Sequence, residues 1–266
     1  METENIKAKG HFMTSYSERS SWKHRNKNAR HFAGFFILNL CLIFFLFSSM
    51  QDSTAQEYQE ERHEMVQTQI RSRGIKSSQV LEAMRKVPRH RFIPERLASL
   101  AYSDRPLPIG HEQTISQPFI VAFMTEALGI KEGEKVLEIG SGSGYQAAIL
   151  AEMGAEVWTI EIVPELAEMA EKNLTEAGYT NVHVKCGNGY KGWPEEAPFD
   201  AVIITAAPES IPKKLVDQLK TGGTMILPVG SVNSIQSLKK IVKKEDGIKQ
   251  KTLIPVRFVP MVRPSL

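Results

Sequence analysis

The chain has 266 residues, 42% hydrophobic and 24% charged, the balance of a globular protein rather than a disordered or fibrous one. Residues 1–55 hold seven Lys/Arg against four acids and so carry the whole net charge of +3, which leaves the rest neutral and argues against nucleic acid as a partner. Cys41 and Cys186 lie in different segments and make no disulfide framework, and the seven scattered histidines show no zinc-site spacing.

The first segment to stand out is residues 32–47, almost wholly apolar, between a basic stretch (Lys23 to Arg30) and the small residues Ser53-Thr54-Ala55. That is the layout of a signal peptide with a long basic leader. Sixteen residues are short for a full span, and an uncleaved anchor stays open. Three readings follow: export or outward anchoring, a start further on at Met50 or Met65, or an inward-facing anchor. The first makes the chain periplasmic or membrane-anchored, touching the membrane only through residues 32–47.

Residues 57–73 predict an amphipathic helix with Met65, Val66 and Ile70 on one side. A second helix is expected near Ser78 to Lys86, capped at Ser77/Ser78 and closed by Pro88. Residues 88–112, with four prolines, read as irregular. A helix is expected from about Phe119 to Leu128. Alternation then sets in: strand 135–139, helix 145–153, strand 156–160, helix 164–177, strands 181–185 and 199–204, helix 211–219, strand 223–228. Beyond Gly230, two runs about Asp246-Gly247 predict an antiparallel hairpin. The fold class expected is α/β: a mostly parallel, Rossmann-like sheet with helices on both faces and an antiparallel C-terminal edge.

The chemistry concentrates at residues 136–144, Val-Leu-Glu-Ile-Gly-Ser-Gly-Ser-Gly. An apolar strand ends in Glu138, turns through Gly140, Ser141, Gly142 and Gly144, and enters a helix. Glu161 follows the next strand. Such an order makes a nucleoside pocket at the carboxyl edge of a parallel sheet, with the second acid placed for ribose hydroxyls. The dinucleotide pattern asks for a third glycine where Tyr145 stands. A pyrophosphate would also be repelled by the acid two residues before the turn. S-adenosyl-L-methionine, with its sulfonium and ammonium, suits the pocket better and is the expected cofactor.

Other motifs stand in order: Arg73-Gly74-Ile75, Val87-Pro88-Arg89, Leu107-Pro108-Ile109-Gly110, Gln113-Thr114-Ile115-Ser116-Gln117-Pro118, Thr205-Ala206-Ala207-Pro208, Leu227-Pro228-Val229-Gly230 and Arg257-Phe258-Val259-Pro260. Together with the glycine turn they closely resemble the protein-L-isoaspartate O-methyltransferases, from about Glu61 to Val262. The resemblance implies methylation of the misplaced α-carboxyl of isoaspartyl residues, after which the ester closes to a succinimide and part reopens as aspartate. Isoaspartyl proteins and peptides are then the partners, and a monomer is expected. It also implies a methyltransferase domain over 56–266, behind a leader at 1–55: a substrate-side segment at 56–118, a cofactor core at 119–230 and antiparallel strands at 231–266. A small-molecule methyltransferase on the same fold, and a non-catalytic envelope protein binding damaged peptides, are the alternatives.

By the same resemblance Ser116 is the active-site residue, holding the substrate carboxylate with Thr114; the other reading makes Ser116 a cap for the helix at Pro118. Val229 and Arg257 fall on the substrate side. Glu138, Gly140, Ser141, Gly142, Gly144, Glu161, Asn188, Gly189 and Thr205 fall to the cofactor. The family usually has Asp where Asn188 stands, although an amide oxygen also accepts from an adenine amino group. His111 and Glu112 differ from the small or amide residues common in the family before the Gln-Thr-Ile-Ser run. No strong general base is needed, because an ordinary carboxyl, with a pKa of about 4, is already ionised at neutral pH.

Overall fold

The computed structural model describes residues 58–231 and 234–263. The leader, with its signal or anchor reading, lies outside the described residues. Among those described, no helix is long and apolar enough to cross a membrane.

The apolar runs form β3 (Lys135–Ile139), β4 (Glu156–Glu161), β5 (Val182–Cys186), β6 (Phe199–Ile204) and β7 (Leu219–Val229). The hairpin beyond them is β8 (Gln236–Lys244) and β9 (Gly247–Val256). One sheet takes the order β5-β4-β3-β6-β7-β8-β9. Pairing is parallel from β5 to β7 and antiparallel from β7 to β9, as expected. Val136, Leu137, Val202 and Ile203 are fully buried, which is why β3 and β6 read as continuous apolar runs rather than alternating ones. Leu137, Ile160, Phe199, Val202, Met225 and Ile241 join one core cluster.

Preceding the sheet are α1 (Gln59–Glu64), α2 (Ser78–Lys86), the hairpin β1 (Leu107–Gly110) and β2 (Gln113–Ile115), and α3 (Pro118–Leu128). Within the sheet region come α4 (Tyr145–Glu152), α5 (Pro164–Glu176) and α6 (Lys213–Asp217). Ser77 caps α2 as expected, accepting from Val80 N at 3.4 Å. Pro opens both α3 and α5, where its missing N–H leaves no bond unmade.

Three expectations need correction. The helix over 57–73 is not uniform: α1 widens into a π-helical turn at Met65–Ile70 and tightens to a 3₁₀ turn at Arg71–Arg73. That winding brings Met65, Val66 and Ile70 all to full burial. Residues 88–112 are not wholly irregular, since they hold 3₁₀ turns at Arg89–Phe92 and Glu95–Leu100 and the strand β1. The helix expected over 211–219 shrinks to α6, because β7 starts at Leu219 rather than at residue 223.

Candidate active site

β3 is the topological switch point: β4 lies on one side of it and β6 on the other, so the loops leaving their carboxyl ends diverge and open a crevice. A cleft of about 870 Å³, counted out to its open mouth, occupies that position. Its floor is the glycine turn Gly140 to Ser143 and the strand ends Ile160 to Val163 and Thr205-Ala206. The β2 segment Gln113 to Ser116 forms one wall, and Val259 to Val262 forms another.

The turn needs glycine for steric reasons. Gly140, Gly142 and Gly144 take φ of 97°, 53° and 90°, which side chains with a Cβ rarely adopt. A Cβ on Gly140 would stand 2.5 Å from Thr205 Oγ1, and one on Gly142 would stand 3.2 Å from Ile109 of β1. Thr205 fixes the turn by donating to the carbonyls of Ile139 (3.0 Å) and Gly140 (2.6 Å). Gly144 packs away from the cleft, under Leu174 of α5, and opens α4.

Glu161, 6% exposed, closes the end of β4. Its Oε2 accepts from Gly142 N at 2.9 Å, and its Oε1 from Ile162 N and Val163 N at 2.8 and 3.1 Å. Three backbone donors therefore fix the carboxylate and tie the two loops together, and Oε2 keeps acceptor capacity toward the cleft. Among the described residues lining the cleft, Glu161 is the only charged side chain. A cationic nucleoside fits this wall; a pyrophosphate would meet an acid and no base.

Glu138 lies beneath the cleft rather than in it. The β3–β4 register sets it beside Thr159. Thr159 Oγ1 stands 2.5 Å from Glu138 Oε2 and 2.6 Å from Ser141 Oγ, and Ser141 lines the cleft. Glu138 is fully buried, and its Oε1 has no partner. Burial pushes its carboxyl up to about 8, against a smaller lowering by the Thr159 hydrogen bond, with the Glu161 charge adding to the rise.

Ser116 and Thr114 both line the cleft. Ser116 is not the helix cap: that position belongs to Gln117, which itself makes no side-chain cap bond. The Ser116 hydroxyl has no hydrogen bond to any described residue, so it is available to a ligand. Gly189 lines the cleft as well, where a Cβ would collide with Ile139 and crowd Met261. Asn188 does not. Its Oδ1 accepts from Tyr190 N at 2.9 Å and caps the turn Gly189–Lys191. Because Asp caps equally well, Asn188→Asp should fold and stay active; loss of methyl transfer in a folded variant would show the amide itself to be required.

Val229 and Arg257 are not brought to the cleft. Val229 packs against the core at the end of β7, and Arg257 is exposed just past β9. The wall beyond Arg257 was not assigned to the site from the sequence, although Val259 and Pro260 stand in one of the motifs above. There Ala207 N donates to Val259 O (2.8 Å) and Met261 N to Ala207 O (2.9 Å), while Gln236 clasps both backbone groups of Phe258. Tyr190 donates to Met261 O at 3.0 Å. Also missed were Ile162 and Val163, whose contribution runs through backbone N–H groups that no side-chain pattern reveals.

The protein-L-isoaspartate(D-aspartate) O-methyltransferase (PCMT) profile matches residues 60–265. The chain belongs to this family. A protein-L-isoaspartate O-methyltransferase of Gloeobacter violaceus is 59% identical over 199 residues, 75% of this chain and 97% of the relative. That of Opitutus terrae is 55% identical over 203 residues, 76% of this chain and 87% of the relative. Among solved structures, a beta-aspartate methyltransferase (PCMT) from Plasmodium falciparum, in complex with S-adenosyl-L-homocysteine, superposes with a TM-score of 0.66 at 27% identity. It covers 76% of this chain and 99% of that one. The PCMT likeness takes in the glycine turn, Glu161, the β2 segment and the C-terminal wall alike, since all lie within the matched span.

Proposed function

We propose that the chain transfers a methyl group from S-adenosyl-L-methionine to the free α-carboxyl of L-isoaspartyl residues in damaged proteins and peptides, with the cleft as its site. It is a protein carboxyl methyltransferase that starts repair by way of a succinimide. The observation carrying this reading is a cleft whose one charged wall is Glu161 and whose β2 wall presents the unpartnered Ser116 hydroxyl.

The cofactor supplies an electrophilic methyl on sulfonium. Glu161 takes the ribose, and Gly140 and Gly142 hold the left-handed turn that forms the floor under the ligand. Gly189 and Thr205 shape the remaining cofactor wall. Ser141, backed by Thr159 and Glu138, offers a hydroxyl from beneath. Ser116 and Thr114 donate to the substrate carboxylate, holding one oxygen toward the methyl. Orientation is the main catalytic resource here, because the nucleophile arrives already ionised. The absence of a His/Asp or Cys/His pair from the cleft-lining residues agrees with that economy. The catalytic unit proposed is 56–266, with residues 1–55 dispensable for it.

The test is methyl incorporation into an isoaspartyl peptide against its aspartyl twin. Ser116→Ala should lower turnover on the isoaspartyl peptide by about ten- to a hundredfold, the loss of about 1.5–3 kcal/mol typical for one donor to a charged group, with cofactor affinity nearly intact. Equal loss of both would make the serine structural. Equal methylation of the two peptides would move the reading to a different acceptor.

A further inference from the structure

Ser116 has no bond of its own, so its neighbours must hold it. On one side is the β1–β2 ladder, with Leu107 opposite Ile115 and Pro108 opposite Thr114. On the other side is Gln117, in extended conformation (φ −50°, ψ 136°) as a residue before proline must be. Its side chain ignores the helix it precedes and reaches thirteen residues back in sequence. Gln117 Nε2 donates to Asp104 Oδ1 at 2.7 Å and to the Asp104 carbonyl at 3.3 Å. Asp104 in turn accepts from Arg73 Nη1, at 3.0 Å on Oδ2 and 3.3 Å on Oδ1. The Arg73 guanidinium lies 3.7 Å from the centroid of the Phe119 ring, two residues beyond Gln117. The chain of contacts thus starts and ends on the segment that follows Ser116.

We infer that Asp104 is a positioning residue: with Arg73 it forms a clasp that fixes Gln117 and so sets where the Ser116 hydroxyl meets the acceptor carboxylate. The inference rests on the reading of Ser116 given above. Arg73 and Asp104 are 42% and 41% exposed, and a pair so open to solvent contributes little to stability. Its geometry is what counts. The clasp joins three separate segments, the turn at Arg71–Arg73, the loop at Asp104 and the start of α3. None of its members lines the cleft except through Ser116. The Gln117 amide is the joint, since it needs only an acceptor at Asp104, while Arg73 holds that acceptor in place and stacks on Phe119.

The experiment uses the whole chain, with wild-type methylation of an isoaspartyl peptide as reference. Asp104→Ala should lower kcat by about tenfold, because a displacement of the order of 1 Å near the reacting atoms costs up to about a hundredfold. Cofactor affinity should stay within about twofold, and the melting temperature should barely move. Asp104→Asn keeps an acceptor for Gln117 but turns its NH₂ toward Arg73 Nη1, so it should recover part of the rate. Asp104→Ala combined with Gln117→Ala should be no worse than either alone, as expected for two parts of one device. A wild-type kcat in Asp104→Ala, no recovery in Asp104→Asn, or a matching loss of cofactor affinity would each overturn the clasp while leaving the function standing. A wild type that fails to methylate the peptide overturns the reading of function and the clasp with it.

Discussion

Glu161→Ala should weaken S-adenosyl-L-methionine binding by about 2–4 kcal/mol, roughly thirty- to a thousandfold in Kd. Two losses combine. The ribose loses its acceptor, and the N–H groups of Gly142, Ile162 and Val163 lose the carboxylate that joins their loops. Glu161→Gln should rescue little. Its amide NH₂ must face either the Gly142 donor or the Ile162 and Val163 donors, so one side becomes donor against donor. Titration calorimetry on the two variants checks this, with melting curves to show that they fold. An unchanged Kd in Glu161→Ala would place the nucleoside elsewhere.

Stability should fall as pH rises from about 4.5 to about 8, through Glu138, and Glu138→Gln should abolish that contribution. In the unfolded chain the carboxyl releases its proton near the ordinary value of 4.5, whereas the buried folded carboxyl keeps it until about 8. Within that window the folded state binds the extra proton, so raising pH favours unfolding. The effect is absent below the window and complete above it, on the order of 5 kcal/mol. Denaturant unfolding of wild type and Glu138→Gln at about pH 5 and about pH 9 reads the difference directly. The glutamine variant should gain relative stability at the higher pH. A difference that does not change with pH would mean that folded Glu138 is ionised throughout.

The parts of the fold that were legible have a common cause. β3, β4 and β6 are largely buried on both faces, and their apolar runs, separated by a glycine turn with its helix and by a helix with proline at the first position, leave few other arrangements. The β1–β2 hairpin was illegible because its two turn residues, His111 and Glu112, take left-handed φ of 49° and 57° without being glycine or asparagine. Pro108 also sits inside β1, where a strand pattern would not look for it. In the site, Gly140, Gly142 and Glu161 were readable from motif and spacing and Thr205 and Ser116 from the family resemblance, and the structure brings them to one cleft. Arg257 was placed too early. The chain leaves β9 at Val256 and reaches the cleft only from Val259 onward, by a bridge to Ala207 that no local pattern encodes. Asn188, assigned to the cofactor, stands outside the cleft lining, with its oxygen accepting from Tyr190 N in the next turn.

The wall formed by Val259 to Val262 also bears on the order in which the molecule becomes competent. Domains are built from the N-terminus during synthesis, and here the parallel strands and the glycine turn all precede the hairpin that carries this wall. A chain ending after β9 would retain every strand of the sheet and lack one wall of the cleft. Ligand should then stabilise finished chains more than clipped ones, by the ordinary mass-action term for the tighter site. Heat protection by S-adenosyl-L-methionine should therefore report on two things at once, a folded sheet edge and an intact C-terminal wall, and comparing it with unliganded melting separates the second from the first.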